Sequence, residues 1–419
     1  MAPALVLAAL AVAYIVWLLS VSSLWHFFLP EDWLIFVGRP DPTLEGLFAP
    51  LNGHWYTATV AVHQVLLRWF GLESYLPFLL AQTAAHLACV GLVFVHVRGH
   101  AGPIAGVAAA ALLLVLATSY ENLYWLVELG FVAPIAIALV ALRLADSPTW
   151  TTRRWIAIAT LLLAGVMFSG VGLVMLVVVG VYLLGSPRCL VVAPAGIAYL
   201  VWATLWPSAY LLPGDGDPIA YVATVAQMLG DAFLGPSIPG GAIIALIVGA
   251  AAVAVIAGWR PHRLTWAAAA GVAALYVGVG YRGDWVPDLA TPGRYLYPAA
   301  ACILVGVGPV IPRLPIAGRF ASAALLMVAL AINIPALPRT ALAWERATLF
   351  FRAQTTVVEK AGLRSPAFIE PYGLHAGDYL AAIERFGTPE RSAAFEARLA
   401  RPEMEAYAEA MRQRLDLAD

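Results

Sequence analysis

About eleven stretches of this chain are apolar for close to the length a helix needs to cross a hydrocarbon layer, and nothing constrains its fold more. They fall near 3–24, 75–97, 103–119, 129–145, 155–169, 171–186, 189–206, 241–259, 264–281, 295–311 and 319–337. Backbone groups in lipid must be satisfied within their own segment, so the expected fold class is all-α, a polytopic transmembrane helix bundle. A mean hydropathy of +0.83 with 12% charged residues excludes the two or three soluble domains that 419 residues could otherwise form. Two stretches are ambiguous. Residues 155–186 read either as a helical pair or as something less regular around Ser169-Gly170-Val171-Gly172. Residues 219–234 are apolar enough to dip into a membrane, although Asp231 opposes a full span.

Charge sorting supports about eleven spans. Alternate short connections carry Arg98; Arg143, Arg153 and Arg154; Arg188; Arg260 and Arg263; and Arg313 and Arg319, against the single acid Asp146. The opposite connections carry Glu31, Asp32, Asp41, Glu45, Glu73, Glu121, Glu128, Asp215, Asp217, Asp231, Asp284 and Asp288 against Arg39, Arg68, Arg282 and Arg294. Short basic loops stay in the cytoplasm, so the expected topology is N-in/C-out with an acidic outer face. The first 24 residues lack a basic leader and are too long in their apolar part for a signal peptide, so they read as a retained span. Lys360 is the only lysine and alanine is abundant, a composition expected of a GC-rich bacterial genome and hence of a bacterial cytoplasmic (inner) membrane. The net charge of −1 gives no footprint for nucleic acid. Cys89, Cys189 and Cys302 each sit in an apolar segment as small core residues, with no disulfide framework or zinc spacing implied.

Two regions stand out from this pattern. The first outer loop, 25–74, is long for a bundle connection and holds Trp25, Trp33, Trp55 and Trp69. Within it, residues 57–70 are too short to span and carry His63, Gln64 and Arg68 among apolar neighbours, as an interfacial helix would, with His63 on its polar face. The tail, 338–419, holds about half of all charged residues and reads as a small, mostly helical extracytoplasmic segment, with a helix expected from Thr388-Pro389 onward. The expected division is therefore a transmembrane domain over 1–337 and a tail over 338–419.

Glu31 and Asp32 follow the first apolar run directly, in Pro30-Glu31-Asp32-Trp33. Paired carboxylates at a membrane surface invite a functional reading, and solvated residues at a helix exit are the bland alternative. Asn52 and His54 in the same loop can hydrogen-bond a sugar or a phosphate, or be satisfied by backbone and water. Glu121 and Glu128 flank Tyr124-Trp125 and share a face if that stretch is helical. Aromatic rings with carboxylates suit carbohydrate, and an aromatic belt with solvated acids is the alternative. Arg294 and Tyr295 sit in a late outer connection, where a guanidinium can grip a lipid phosphate or pair with Asp284 or Asp288. Gly170 and Gly172 belong to a helix-packing surface, since no strand precedes them and no Walker lysine follows.

These features together resemble the GT-C superfamily, polytopic glycosyltransferases that draw sugars from polyprenyl-phosphate carriers. Asn52-Gly53-His54-Trp55, Gly71-Leu72-Glu73-Ser74-Tyr75-Leu76-Pro77 and His86-Leu87 look like a bacterial branch related to those enzymes. The resemblance covers roughly the first 145 residues and then Arg294-Tyr295. It implies that a first-loop carboxylate acts as catalytic base or metal ligand, which makes Asp32 the base and Glu31 its neighbour; the family more often places Asp first. It implies Asn52, His54, Glu121, Glu128, Arg294 and Tyr295 as substrate-binding, a polyprenyl-phosphate-linked sugar as donor, a glycan, lipid or protein acceptor, and a divalent cation as the one possible cofactor. A positioned carboxylate can take the acceptor proton, and phosphate already leaves well, so one base suffices. Asp32→Asn is then expected to abolish transfer in a folded protein. A transporter or flippase of lipid-linked sugars, or a non-catalytic membrane scaffold, are the competing expectations; the first predicts ionisable groups near mid-span, where the chain offers only His86 and His96.

Overall fold

The apolar runs do become helices, and their lengths decide which can span. In the computed structural model the described residues are 2–22, 27–207, 218–235, 239–256, 258–280, 293–362, 368–369, 374–389, 393–402, 404–407 and 409–410. Seven helical segments among them are long and apolar enough to cross a membrane: 2–21, 76–101, 126–145, 187–205, 263–280, 293–313 and 316–360. An eighth forms if the pair 103–114 and 117–124, bent by 43°, counts as one. The expected eleven therefore resolve into seven or eight, because 155–169, 171–186 and 241–259 become helices of only 12 to 17 residues. The chain is an all-α multi-pass membrane protein.

Helix α1 (Ala2–Ser22) leads into three short helices in the first loop: α2 (Pro30–Gly38), α3 (Leu44–Phe48) and α4 (Thr57–Phe70). The expected interfacial helix is α4, with the expected bounds. Two of the three polar residues that marked it point inward, however: His63 and Gln64 are buried, and Gln64 donates to the carbonyls of Arg39 and Asp41, while Arg68 stays exposed. The expectation of a solvated polar face for His63 is thus corrected, because α2 and the 39–50 segment cover α4 from outside.

The bundle follows with α5 (Leu76–Ala101), α6 (Pro103–Leu114), α7 (Tyr120–Tyr124) and α8 (Leu129–Ala145), then α9 (Thr152–Val166) and α10 (Val171–Tyr182). Residues 167–170 break α9 from α10, so the 155–186 stretch is a pair of short helices. Gly172 permits their close approach, since a Cβ there would lie 2.3 Å from the Gly165 carbonyl oxygen. Next come α11 (Ala193–Leu205), α12 (Pro218–Leu234), α13 (Gly240–Ile256), α14 (Arg263–Gly280), α15 (Leu296–Val307) and α16 (Ile316–Ala361). His86 and His96, the mid-span histidines, are buried against neutral partners: Tyr297 and the Leu114 carbonyl for one, the Leu139 carbonyl for the other. Cys89 and Cys302 are buried free thiols, as expected, and Cys189 is half-buried.

Helix α16 runs 46 residues without a break and so passes straight through the expected domain boundary at 337/338. Pro335 and Pro338 lie inside it. Beyond it two paired two-residue strands, β1 (Phe368–Ile369) and β2 (Leu374–His375), precede α17 (Ala376–Phe386), and α18 (Ala393–Leu399) falls within the helix expected from Thr388-Pro389 onward, residues 390–392 lying outside the described residues.

This tail is locked onto the first loop. Tyr379 packs at 4.7 Å on Trp33, Arg352 lies 4.6 Å from the Phe27 ring centre, and Arg385 holds Asp41 through two hydrogen bonds of 2.7 and 3.2 Å. Leu72 N–H donates to the Phe386 carbonyl at 2.9 Å. Gly71, which ends α4 at φ +64°, makes this approach possible, because a Cβ there would stand 2.5 Å from the Phe386 oxygen. Gly71→Ala is therefore expected to cost about 1–3 kcal/mol of strain and displaced contact. A lower melting temperature in detergent, with faster proteolysis of the tail than of the bundle, would register it.

Candidate functional site

The site begins with how Pro30-Glu31-Asp32-Trp33 folds. Proline suits the first turn of a helix because its missing N–H is unpaired there anyway, and carboxylates suit that turn because they meet its positive end. The pair therefore starts α2 and does not lie along an extended exit. Neighbouring helical residues point about 100° apart, so the two side chains part company.

Asp32 turns into the protein. It is fully buried, and its Oδ2 accepts from Leu29 N–H and from Trp125 Nε1–H, both at 2.9 Å. Its Oδ1 lies 3.2 Å from His63 Nε2, and His63 Nδ1 lies 2.9 Å from the Thr59 carbonyl oxygen. A carbonyl can only accept, so Nδ1 donates to Thr59 and Nε2 is the ring nitrogen that faces Asp32. One carboxylate thus ties the start of α2 to α4 and to the segment before α8. Both oxygens of the expected base are engaged in holding the fold.

Glu31 turns the other way, into a buried ionic cluster. Its Oε1 is 4.0 Å from Arg294 Nη1 and accepts from Asn52 Nδ2 at 3.5 Å, while its Oε2 is buried with no hydrogen-bond partner. Arg294 also meets Glu128 at 3.2 Å and Glu121 at 3.5 Å. Its guanidinium sits 6.0 Å from the Trp125 ring centre. Burial pushes the Glu31 carboxyl up to about 7, with Arg294 opposing the shift and Asp32 and Glu121 adding to it.

Local sequence explains each approach. Asn52-Gly53 forms a two-residue turn between the bridged residues Leu51 and His54, with both φ angles positive, at 49° and 73°, a geometry that favours this dipeptide. That turn aims Asn52 at Glu31. Gly293 lets the 293–295 turn press on the 117–119 turn, since a Cβ would fall 1.8 Å from the Thr118 oxygen. Arg294 is thereby delivered beside Glu121. Glu121 lies in α7 and Glu128 in the one-turn helix 126–128, with Trp125 extended between them. No single helical face carries both glutamates; a bend folds them onto the same arginine.

Of the residues singled out in the sequence, Glu31, Asn52, Glu121, Glu128 and Arg294 come together, with Asp32 immediately behind. His54 stands near the Tyr56 ring and against Gly170, and Tyr295 packs edge-on against Phe131. Arg282, Asp284 and Asp288 lie outside the described residues. Sequence reading missed four participants: His63, Asn122, Gln82 and Trp344. Asn122 Nδ2 reaches Glu128 at 3.4 Å, Gln82 donates to the Asn122 carbonyl, and Trp344 of α16 packs on Tyr120, Tyr124 and Trp125. His63 had a signal, since Val60, His63, Gln64 and Leu67 follow the i, i+3, i+4, i+7 spacing of a buried face. Among the described residues no group of three His, Cys, Asp or Glu is placed to hold a metal ion.

Two stability results follow. Asp32→Ala strands a buried imidazole and two N–H donors, at an expected cost of about 3–5 kcal/mol. Asp32→Asn can still accept from Leu29 and Trp125 at Oδ1 and turn Nδ2 to His63 Nε2, so its melting temperature should stay near wild type. For Glu31 the folded value of about 7 exceeds the ordinary 4.5, so its stabilising contribution is complete below pH 4.5 and lost as pH rises through 7. Melting curves at pH 5 and 8 should show Glu31→Gln gaining on wild type at the higher pH.

No family model, curated protein or solved structure matches the chain.

Proposed function

We propose that this protein is a membrane glycosyltransferase of GT-C type, moving a sugar from a polyprenyl-phosphate carrier to an acceptor hydroxyl on the extracytoplasmic side of a bacterial inner membrane. The observation that carries this reading is Glu31 Oε2: a buried carboxylate oxygen with no partner, in the first turn after the first span, beside a guanidinium. A general base needs an unengaged lone pair and a pKa near the working pH, and Glu31 has both. Asp32, the base that the resemblance suggests, has its two oxygens turned to Leu29, Trp125 and His63. We therefore assign the base to Glu31 and the positioning of its helix to Asp32.

In the proposed step the acceptor hydroxyl gives its proton to Glu31 Oε2 as its oxygen bonds to the anomeric carbon. The bond from that carbon to the phosphate oxygen breaks, and polyprenyl phosphate leaves with the electron pair. Arg294, whose side chain is 24% accessible, stands where it can offset charge on the leaving phosphate while steering the carboxylates. Asn52 holds Glu31 Oε1, so that Oε2 faces the reactants.

Membrane preparations supplied with polyprenyl-phosphate sugars test this. Glu31→Gln should lose about 10²–10⁴-fold in transfer, the contribution usual for a positioned base, while Asp32→Asn should stay within about tenfold of wild type. Activity should rise with pH to a plateau above about 7, as Glu31 sheds its proton. An inactive Asp32→Asn protein that melts normally, beside an active Glu31→Gln, would reverse the assignment.

A further inference from the structure

Three carboxylates, those of Glu31, Glu121 and Glu128, converge on the single guanidinium of Arg294. Two further acceptors nearby are buried without donors: Oδ1 of Asn122, on the same amide whose nitrogen reaches Glu128, and Oε1 of Gln82, whose own amide nitrogen is bonded to the Asn122 carbonyl. Both residues are fully buried. Glu31 Oε2 adds a third. Among the described residues, three carboxyl groups share one guanidinium, and the orphaned acceptors here, Glu121 Oε2 included, outnumber the one orphaned N–H donor, Arg294 Nε; orphaned buried acceptors are costly.

We propose that this site binds a sugar bearing a free, protonated amine, an inference that rests on the glycosyltransferase reading and names its substrate class. An ammonium brings one positive charge and three N–H donors with no acceptor, which matches both shortages. Neutral hydroxyls would supply donors but leave the charge uncompensated. An N-acetyl group would supply one donor and turn a carbonyl oxygen toward carboxylates. A divalent ion needs its ligands gathered about a common point, and these carboxylates are gathered about Arg294 instead. The amine is assigned to Glu121, Glu128 and Asn122, which leaves Glu31 Oε2 to the acceptor hydroxyl.

Equilibrium binding to the purified full chain in detergent tests the proposal without requiring turnover. Two probe pairs separate the possible sources of the amine: polyprenyl-phosphate glucosamine against its N-acetyl form for the donor, and chitosan trimer against chitin trimer for the acceptor. Wild type should bind the amine of one pair at least about tenfold tighter, equivalent to about 1.4 kcal/mol. That ratio should fall to within about threefold in Glu121→Gln, checked for unchanged melting. Equal binding within both pairs, or a preference for either N-acetyl form, overturns the proposal, as does an amine preference untouched by Glu121→Gln. Transfer of neutral sugars alone, without amine selectivity, overturns it while leaving the glycosyltransferase reading intact. Amine-selective binding with no transfer of any sugar upholds the site and counts against that reading.

Discussion

A single buried carboxylate organises the part of this protein that holds the candidate site. Asp32 meets the N–H of Leu29, which caps its own helix, the indole of Trp125 and the ring of His63. Each partner comes from a different part of the chain, so one side chain fixes α2 against α4 and against the bend that holds Glu121 and Glu128. Trp125 carries the link onward, since its ring faces Arg294 and packs on Trp344 of α16. A charge buried this deeply contributes specificity more than stability: removing either partner strands the other, which forbids most alternative arrangements of the loop. The tail acts from the far side in the same sense. Tyr379 and Arg352 cover Trp33 and Phe27, the residues flanking the start of α2, so α2 is gripped between the bundle and the tail.

Helical geometry divides the labour between the two adjacent acids. Along a strand, neighbours alternate faces; at a helix start, the residue at the third position bends back to the unpaired N–H groups, while the second projects outward. Asp, with its short arm, reaches Leu29 N–H well. Glu, one methylene longer, reaches the Arg294 cluster. The order Glu-Asp, which departs from the Asp-first order usual in the family that this loop resembles, is thus consistent with the roles proposed for each.

How much of this was legible in the sequence depends on the range of the interaction. Apolar length revealed the helices, and the short run at 57–70 with polar residues among apolar neighbours marked α4, because both signals are local. The number of spans did not follow: the break at 167–170 and the close contact of Gly172 with Gly165 depend on one backbone meeting another, which hydropathy does not record. The acids and Arg294 could be chosen by residue type and side of the membrane. What could not be read was which acid faces which partner, since Trp125 and His63 lie 93 and 31 residues from Asp32. The continuity of α16 through residue 338 was hidden by a change in composition. A helix can leave lipid without ending, and charged residues mark the exit from lipid, not the end of the helix.

Arg294 shows why an isolated cation was too simple an expectation. A guanidinium reserved for a lipid phosphate would be expected to stand open, yet this one is held by three carboxylates. Burial pushes the Glu31 carboxyl up to about 7, so the cluster holds a proton below that pH; ionised, the three would outweigh the guanidinium and repel an anion at close range. A donor that joins an ammonium to a phosphate would offset that repulsion. In the proposed reading the acids would act as a filter on the residue assigned to the leaving group: a ligand that carries the positive charge would relieve the ionised acids and free the guanidinium together, and one without it would not.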